Sequence, residues 1–266
     1  MGTVNVVPAV ASTLAATLGN VAATLTYQKV YPVGSGGLPV VKKAILTIRV
    51  AGHLEYRGAV FSGVCGSYCW PAGPGSSAAL RVVRLAPGSP DVVLGLYSGG
   101  AHCCFVDQVF SPGNSNRYVK SEINLGDPGA RLLALSGNPY AALITADDSF
   151  AYAFTDFAAS GLPIRIERFG AHRFTDVTRR YPSLIRADAS QWLRAFYGQA
   201  STRYEDSVGV IAAWTADEYL LGNSARALRF LNEQATAGHL NSLLNPTLRG
   251  ALFVTMLEKF LQRGGY

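Results

Sequence analysis

Leu80-Arg81-Val82-Val83-Arg84-Leu85, then Ala86-Pro87-Gly88-Ser89-Pro90, then Asp91-Val92-Val93-Leu94-Gly95-Leu96-Tyr97 decides the fold class of this chain. Two apolar runs too short for helices, rich in valine and split by a Pro/Gly turn, read as a β-hairpin. The pattern returns at Ala130-Arg131-Leu132-Leu133-Ala134-Leu135, Ser136-Gly137-Asn138-Pro139 and Tyr140-Ala141-Ala142-Leu143-Ile144-Thr145-Ala146-Asp147-Asp148. An offset of roughly 50 residues is a spacing of blade-type repeats. Two unrelated hairpins are the plainer account.

Working outward, residues 24–27 and 44–50 alternate apolar and polar at period two. Ala51-Gly52-His53 makes a turn, and Leu54-Glu55-Tyr56-Arg57 returns as the partner strand. Further strands are expected over 105–110, 151–154 and 164–169, with Phe150, Tyr152 and Phe154 sharing one face. Short strands separated by Gly, Pro, Asn and Asp indicate antiparallel β architecture. From about Ser183 the period becomes helical. Helices are expected over 188–197, over 206–221 ending at Gly222, and over 224–237 stopped by Gly238. A last helix has Pro246 at its start and an apolar face of Leu248, Ala251, Leu252, Thr255, Met256 and Phe260. The expected class is α+β, an antiparallel β domain with degenerate blade-like or sandwich-like repeats followed by a C-terminal helical unit. The divisions are a mature N-terminal segment at 1–30, the β domain with its disulfides at 31–182 and the helical unit at 183–266.

The 266 residues are 49% hydrophobic and 15% charged, enough for a sizeable core. The uncharged stretch 8–26 is rich in Ala, Thr and Gly, and no Lys or Arg precedes it. It matches neither a membrane span nor an intact signal peptide, so it reads as a mature start whose leader has been removed. Met1-Gly2 lacks the downstream Ser or Thr of a myristoylation site. The net charge is +6. Its densest basic group, Arg165, Arg168, Arg173, Arg179 and Arg180, is interleaved with acids. No nucleic-acid module is present, and a basic surface facing an anionic envelope or polymer is expected.

The four cysteines form two clusters, Cys65-Gly66-Ser67-Tyr68-Cys69 and His102-Cys103-Cys104. A zinc site has enough ligands by count, yet neighbours on a strand point to opposite faces and rarely turn to one ion. Two disulfides joining one cluster to the other suit that divergence. The links 65–103 with 69–104, or 65–104 with 69–103, both remain open. Such crosslinks place the protein in an oxidising compartment, secreted or in the cell envelope.

Catalytic motifs are weak. A thiol served by the adjacent His102 is poorly arranged, and no nucleophile elbow occurs. Asp147 and Asp148, with Asp107 and Asp156 elsewhere, are the best acidic group, and carboxylates on two loops suit a glycosidase. A turn cap is the plainer role for either aspartate. Gly34-Ser35-Gly36-Gly37 and Gly99-Gly100 lack the Lys-Ser/Thr of a phosphate loop and read as turns. No cofactor or metal is expected.

Leu80–Leu85 with Asp91–Tyr97, the following Ser98-Gly99-Gly100-Ala101-His102-Cys103-Cys104, and Asp147-Asp148-Ser149-Phe150-Ala151-Tyr152-Ala153-Phe154 resemble uncharacterised secreted bacterial proteins. The repeats of that family are similar to FG-GAP/VCBS repeats, and the resemblance covers about 40–185. It implies Asp-rich calcium turns, but the turns at 86–90 and 136–139 lack the acidic ligands such an ion needs. The expected function is an exported or cell-envelope non-catalytic protein that binds a protein or glycan through its β domain. The alternative is a secreted hydrolase using Asp147, Asp148 and His102.

Overall fold

The run Val92–Leu96 carries no polar side chain because its strand is covered on both faces. In the computed structural model, which describes residues 9–31, 40–75, 77–113, 117–201, 207–242, 245 and 247–266, this strand lies inside a five-stranded sheet. Val92, Leu94 and Leu96 face one core with Leu25, Leu46, Ile48, Val106 and Phe110. Val93 faces another core with Leu85, Val109, Leu125, Leu143 and Phe169.

Thirteen strands are described. β1 (Val10–Leu18), β2 (Val21–Val30), β3 (Val40–Val50) and β4 (His53–Ala59) pair in sequence order and antiparallel throughout. β5 (Trp70–Pro71), β7 (Asp91–Gly100), β8 (Cys103–Pro112) and β9 (Tyr118–Gly126) form the second sheet, with β6 (Leu80–Val83) also on β7. β10 (Arg131–Ala134), β11 (Ala141–Ala146), β12 (Ile164–Gly170) and β13 (Arg173–Asp176) form the third. The stretches at 80–97 and 131–146 are both hairpins, one in the second sheet and one in the third. Residues 44–50 and 54–57 pair as expected, across a turn in which Ala51 and Gly52 have φ of 48° and 84°. Val10–Leu18, where composition suggests no element, forms β1. It is joined to β2 through Gly19 at φ 60°.

Four helices follow: α1 (Pro182–Ser201), α2 (Val208–Leu220), α3 (Ser224–Thr236) and α4 (Gly250–Gly264). Contacts divide the chain into two compact units, Met1–Ile144 with Arg168–Thr175, and Thr145–Glu167 with Asp176–Tyr266. The second unit is built on α2, whose residues from Val208 to Glu218 are all buried. Gly161 and Gly209 allow its close approach: a Cβ on Gly161 would sit 2.8 Å from Ala213 Cβ, and one on Gly209 would strike the Ala159 carbonyl.

Three expectations are corrected. Residues 151–154 are not a strand: Asp148–Phe150 is a 3-10 helix and Tyr152 takes φ 60°. Phe150 and Phe154 are buried while Tyr152 is 57% exposed. The tight turn puts residues four apart on one side, where Phe150 meets Phe260 at 4.9 Å and Phe154 meets Phe253 at 5.5 Å. That aromatic group also sets the buried face of α4 as Phe253, Val254, Leu257 and Leu261, leaving Leu252 and Met256 exposed. The cysteines pair within their clusters, Cys65 with Cys69 and Cys103 with Cys104, and not between them. The first loop folds on itself: Ser62 and Gly66 exchange backbone hydrogen bonds, and Cys65 and Cys69 lie 5.4 Å apart at Cα. Met1, Gly2, Pro8, Gly34-Ser35-Gly36-Gly37, Asp206 and Pro246 lie outside the described residues. No described helix is long and apolar enough to cross a membrane.

Candidate binding site

The second unit contains a cavity of about 320 Å³. Its polar lining is Asp147, Arg165, Asp176, Thr178, Arg179, Arg180 and Tyr266. Local geometry fixes these side chains one by one. Asp147 is the N-cap of the 3-10 helix and accepts from Ser149 N at 3.0 Å through Oδ1. Its Oδ2 accepts from the Tyr266 hydroxyl at 2.7 Å. Burial, and then the Asp147 carboxylate, hold the Tyr266 phenol well above its ordinary value, so it stays a proton donor.

On the strand side, Arg165 of β12 donates through Nε to Glu167 Oε1 at 2.7 Å and lies 3.8 Å from Asp176 Oδ2. Glu167 is 2% exposed, and burial raises its pKa against the pull of Arg165. Asp176 Oδ1 accepts from Thr178 N at 2.8 Å and Thr178 Oγ1 at 2.6 Å. The same Oγ1 accepts from Ile166 N at 2.9 Å, tying the cavity wall to β12. Arg179 donates to the carbonyls of Tyr219, Leu220 and Gly265, at the C-terminal ends of α2 and α4. A cation there meets the negative end of both helix dipoles. Arg180 is exposed, and among the described residues its guanidinium is the cavity cation not drawn into such a network.

Deeper in the same unit lies a carboxyl pair. Asp188 Oδ2 accepts from Ile164 N and Trp192 Nε1, both at 2.9 Å. Asp217 is fully buried, and neither of its oxygens meets an N–H or hydroxyl donor in good geometry. Burial, and then the charge on Asp188, push the Asp217 carboxyl up to about 10. The Ile164 N–H belongs to Asp188 and reaches Asp217 too weakly to offset this. Two such carboxyls are compatible when one holds a proton and donates it to the other. Asp188, already accepting two N–H groups, is the ionised member.

Of the acids and the histidine weighed as catalytic candidates from sequence, Asp147 alone lines this cavity, together with Arg165, Arg179 and Arg180 of the basic group. Asp148 begins the 3-10 helix, and Asp156 accepts from Ala159 N at 2.8 Å. Asp107 belongs to the first unit, where it meets Arg81 at 3.0 Å. His102 is an exposed residue of the β7–β8 turn in that unit. Sequence reasoning took Arg165 and Arg180 as part of a basic surface and missed Asp176, Asp188, Asp217 and Tyr266. One signal was available: Asp217-Glu218 interrupts the apolar run of α2, and an acid inside an otherwise buried helix needs a partner. Among the described residues no group of three or more His, Cys, Asp and Glu is placed to hold a metal ion.

Over 162 residues, 58% of its length, the chain is 26% identical to the Uncharacterized protein y4bJ of Sinorhizobium fredii (strain NBRC 101917 / NGR234). The matched stretch spans 25% of that relative. No family model matches the chain, and no solved structure matches it.

Proposed function

We propose that this is an exported or cell-envelope binding protein without catalytic activity, and that its second unit holds a hydroxyl-rich ligand such as a glycan unit. The observation that carries the reading is the pre-organised polar lining of the cavity. Carboxylates of Asp147 and Asp176 accept, guanidiniums of Arg165 and Arg180 donate, and protein hydrogen bonds or ion pairs hold all but Arg180 in place. Sugar hydroxyls donate to carboxylates and accept from guanidiniums, so fixed groups of both kinds suit them. At about 320 Å³ the cavity has the size of a small-ligand pocket. Export is supported by the paired cysteines.

A hydrolase is the competing reading, since Asp147 lines the cavity. It needs a proton-bearing carboxyl that reaches substrate. The acids with raised pKa in this unit are turned elsewhere: Asp217 is fully buried on α2, Asp188 holds Ile164 and Trp192, and Glu167 holds Arg165. Calorimetric titration against a panel of mono- and oligosaccharides tests both. Saturable binding, weakened at least about tenfold in Arg180→Ala and without product formation, is expected from removing one charged hydrogen bond. Turnover that disappears in Asp147→Asn establishes the hydrolase. Binding to no member of the panel removes the glycan assignment.

A further inference from the structure

We propose that the disulfide-closed loop around Cys65 is a membrane-contact tip, through which the first unit seats on the surface of an anionic lipid bilayer. Phe61, Val64 and Tyr68 are 59%, 40% and 69% exposed, three large apolar side chains within eight residues. A Cβ on Gly66 would lie 3.9 Å from the Phe61 ring and 4.0 Å from the Tyr68 ring, so both rings belong to one tip. Exposed apolar groups gathered in this way mark a contact site.

The loop is built to hold the tip out of the fold. The Cys65–Cys69 bond closes it, and Ser62 and Gly66 bridge its base through their backbones. Glu122 Oε1 accepts from Ser62 Oγ and from Gly63 N, both at 2.9 Å. The Phe61 carbonyl accepts from Gln108 Nε2 and from Lys120 Nζ, both at 2.8 Å. Val64 N donates to Ser62 Oγ at 3.1 Å, and Tyr68 N to the Cys65 carbonyl at 3.2 Å. The N–H groups of residues 62, 63, 64, 66 and 68 therefore all have protein acceptors. In water an exposed loop needs no such provision, because water meets its donors. Against acyl chains every unmet donor is costly, and this loop has prepaid little of that cost in solvent.

Charge selects the occupant. Residues 58–80 contain no Asp, Glu, Lys or Arg, so the tip offers no ionic pattern to hold a protein partner in register. The first unit as a whole has twelve Lys and Arg against five Asp and Glu, and Asp91 and Asp107 among those five are buried. The second unit has eleven against twelve. The entire net positive charge thus resides in the unit that carries the tip. An uncharged aromatic tip on a basic body complements an anionic bilayer. The rings of Phe61 and Tyr68 enter the interface, the Tyr68 hydroxyl stays at headgroup level, and the body is drawn to the negative surface.

Co-sedimentation of the full chain with lipid vesicles is the test. The chain should bind phosphatidylglycerol vesicles at low salt, bind phosphatidylcholine vesicles at least about tenfold more weakly, and lose affinity as salt rises. Phe61→Ala with Tyr68→Ala should weaken binding on the order of 10- to 100-fold, because two aromatic side chains no longer leave water. Both positions are exposed, and circular dichroism checks that the variant folds. Tyr68→Trp keeps a ring suited to the interface and should bind like its parent, with an added blue shift of emission on vesicles. A wild-type chain that binds no phosphatidylglycerol vesicle, including one whose loop engages only a protein, overturns the proposal. Binding that ignores the charge of the lipid, or that survives the double alanine variant unchanged, overturns it too.

Discussion

Asp217→Asn should stabilise the second unit, and by an amount that grows with pH. Asp217 is fully buried, and its carboxyl is raised to about 10 from 3.8, first by burial and then by Asp188. Between those two values the folded state holds a proton that the unfolded chain has released. Stability therefore falls as pH rises, by about 1.4 kcal/mol per pH unit for one proton. Below the unfolded value the proton costs nothing. From there to the folded value the cost accumulates, reaching about 4 kcal/mol over any three units inside the window. Asparagine has nearly the same shape, donates an N–H to Asp188 at every pH and does not titrate. Denaturant unfolding at pH 5.5 to 8.5 is the assay. Trp192 and Trp214 both lie in the second unit, so a Trp70→Phe background confines the fluorescence signal to it. The gap between Asp217→Asn and its parent should widen by about 4 kcal/mol across that range. Parallel pH profiles would refute the shared proton and mean that Asp217 ionises in place.

Non-reducing peptide mapping should recover Cys65 linked to Cys69 and no peptide joining residues 65–69 to 103–104, since the structure pairs cysteines only within clusters. Gly209→Ala should cost about 1–3 kcal/mol or more in thermal unfolding, because its methyl meets the Ala159 carbonyl and Thr155 Cγ2; an unchanged melting temperature would show that α2 does not pack so closely. Arg81→Met strands the buried Asp107 carboxylate, which lies 3.0 Å from Arg81 and is 3% exposed. A loss of about 3–5 kcal/mol is expected, and Arg81→Met with Asp107→Leu should recover most of it; equal losses in the single and double variants would contradict this.

The strands were legible where alternation is local. Val21, Ala23, Leu25 and Tyr27 are buried and Thr26 between them is exposed, as period two requires. The helices were legible from 3.6-residue spacing and from the glycines that end them, Gly222 and Gly238, both at positive φ. The same reasoning failed at 150–154. Phe150, Tyr152 and Phe154 alternate on paper, but rings on α4 draw Phe150 and Phe154 inward and leave Tyr152 in solvent. Long-range packing outweighs local pattern there, and it also rotates the buried face of α4 away from Leu252 and Met256.

By itself, then, the sequence determined the class of element at most positions, because strand and helix periods, turns and caps are properties of neighbours. Tertiary structure decided everything that depends on distant residues meeting. Asp147 and Tyr266 are 119 residues apart and share a 2.7 Å hydrogen bond. Asp188 and Asp217 stand on different helices and become a proton-sharing pair only when α1 and α2 bury them together. The cysteine pairing belongs to the same class: side-chain divergence along a strand argued for links between clusters, and the closed 62–66 loop brought Cys65 and Cys69 together instead. A carboxylate's role is set by what the fold places within a few ångströms of it and by how much water the fold removes, and neither quantity is written in the spacing of residues along a chain.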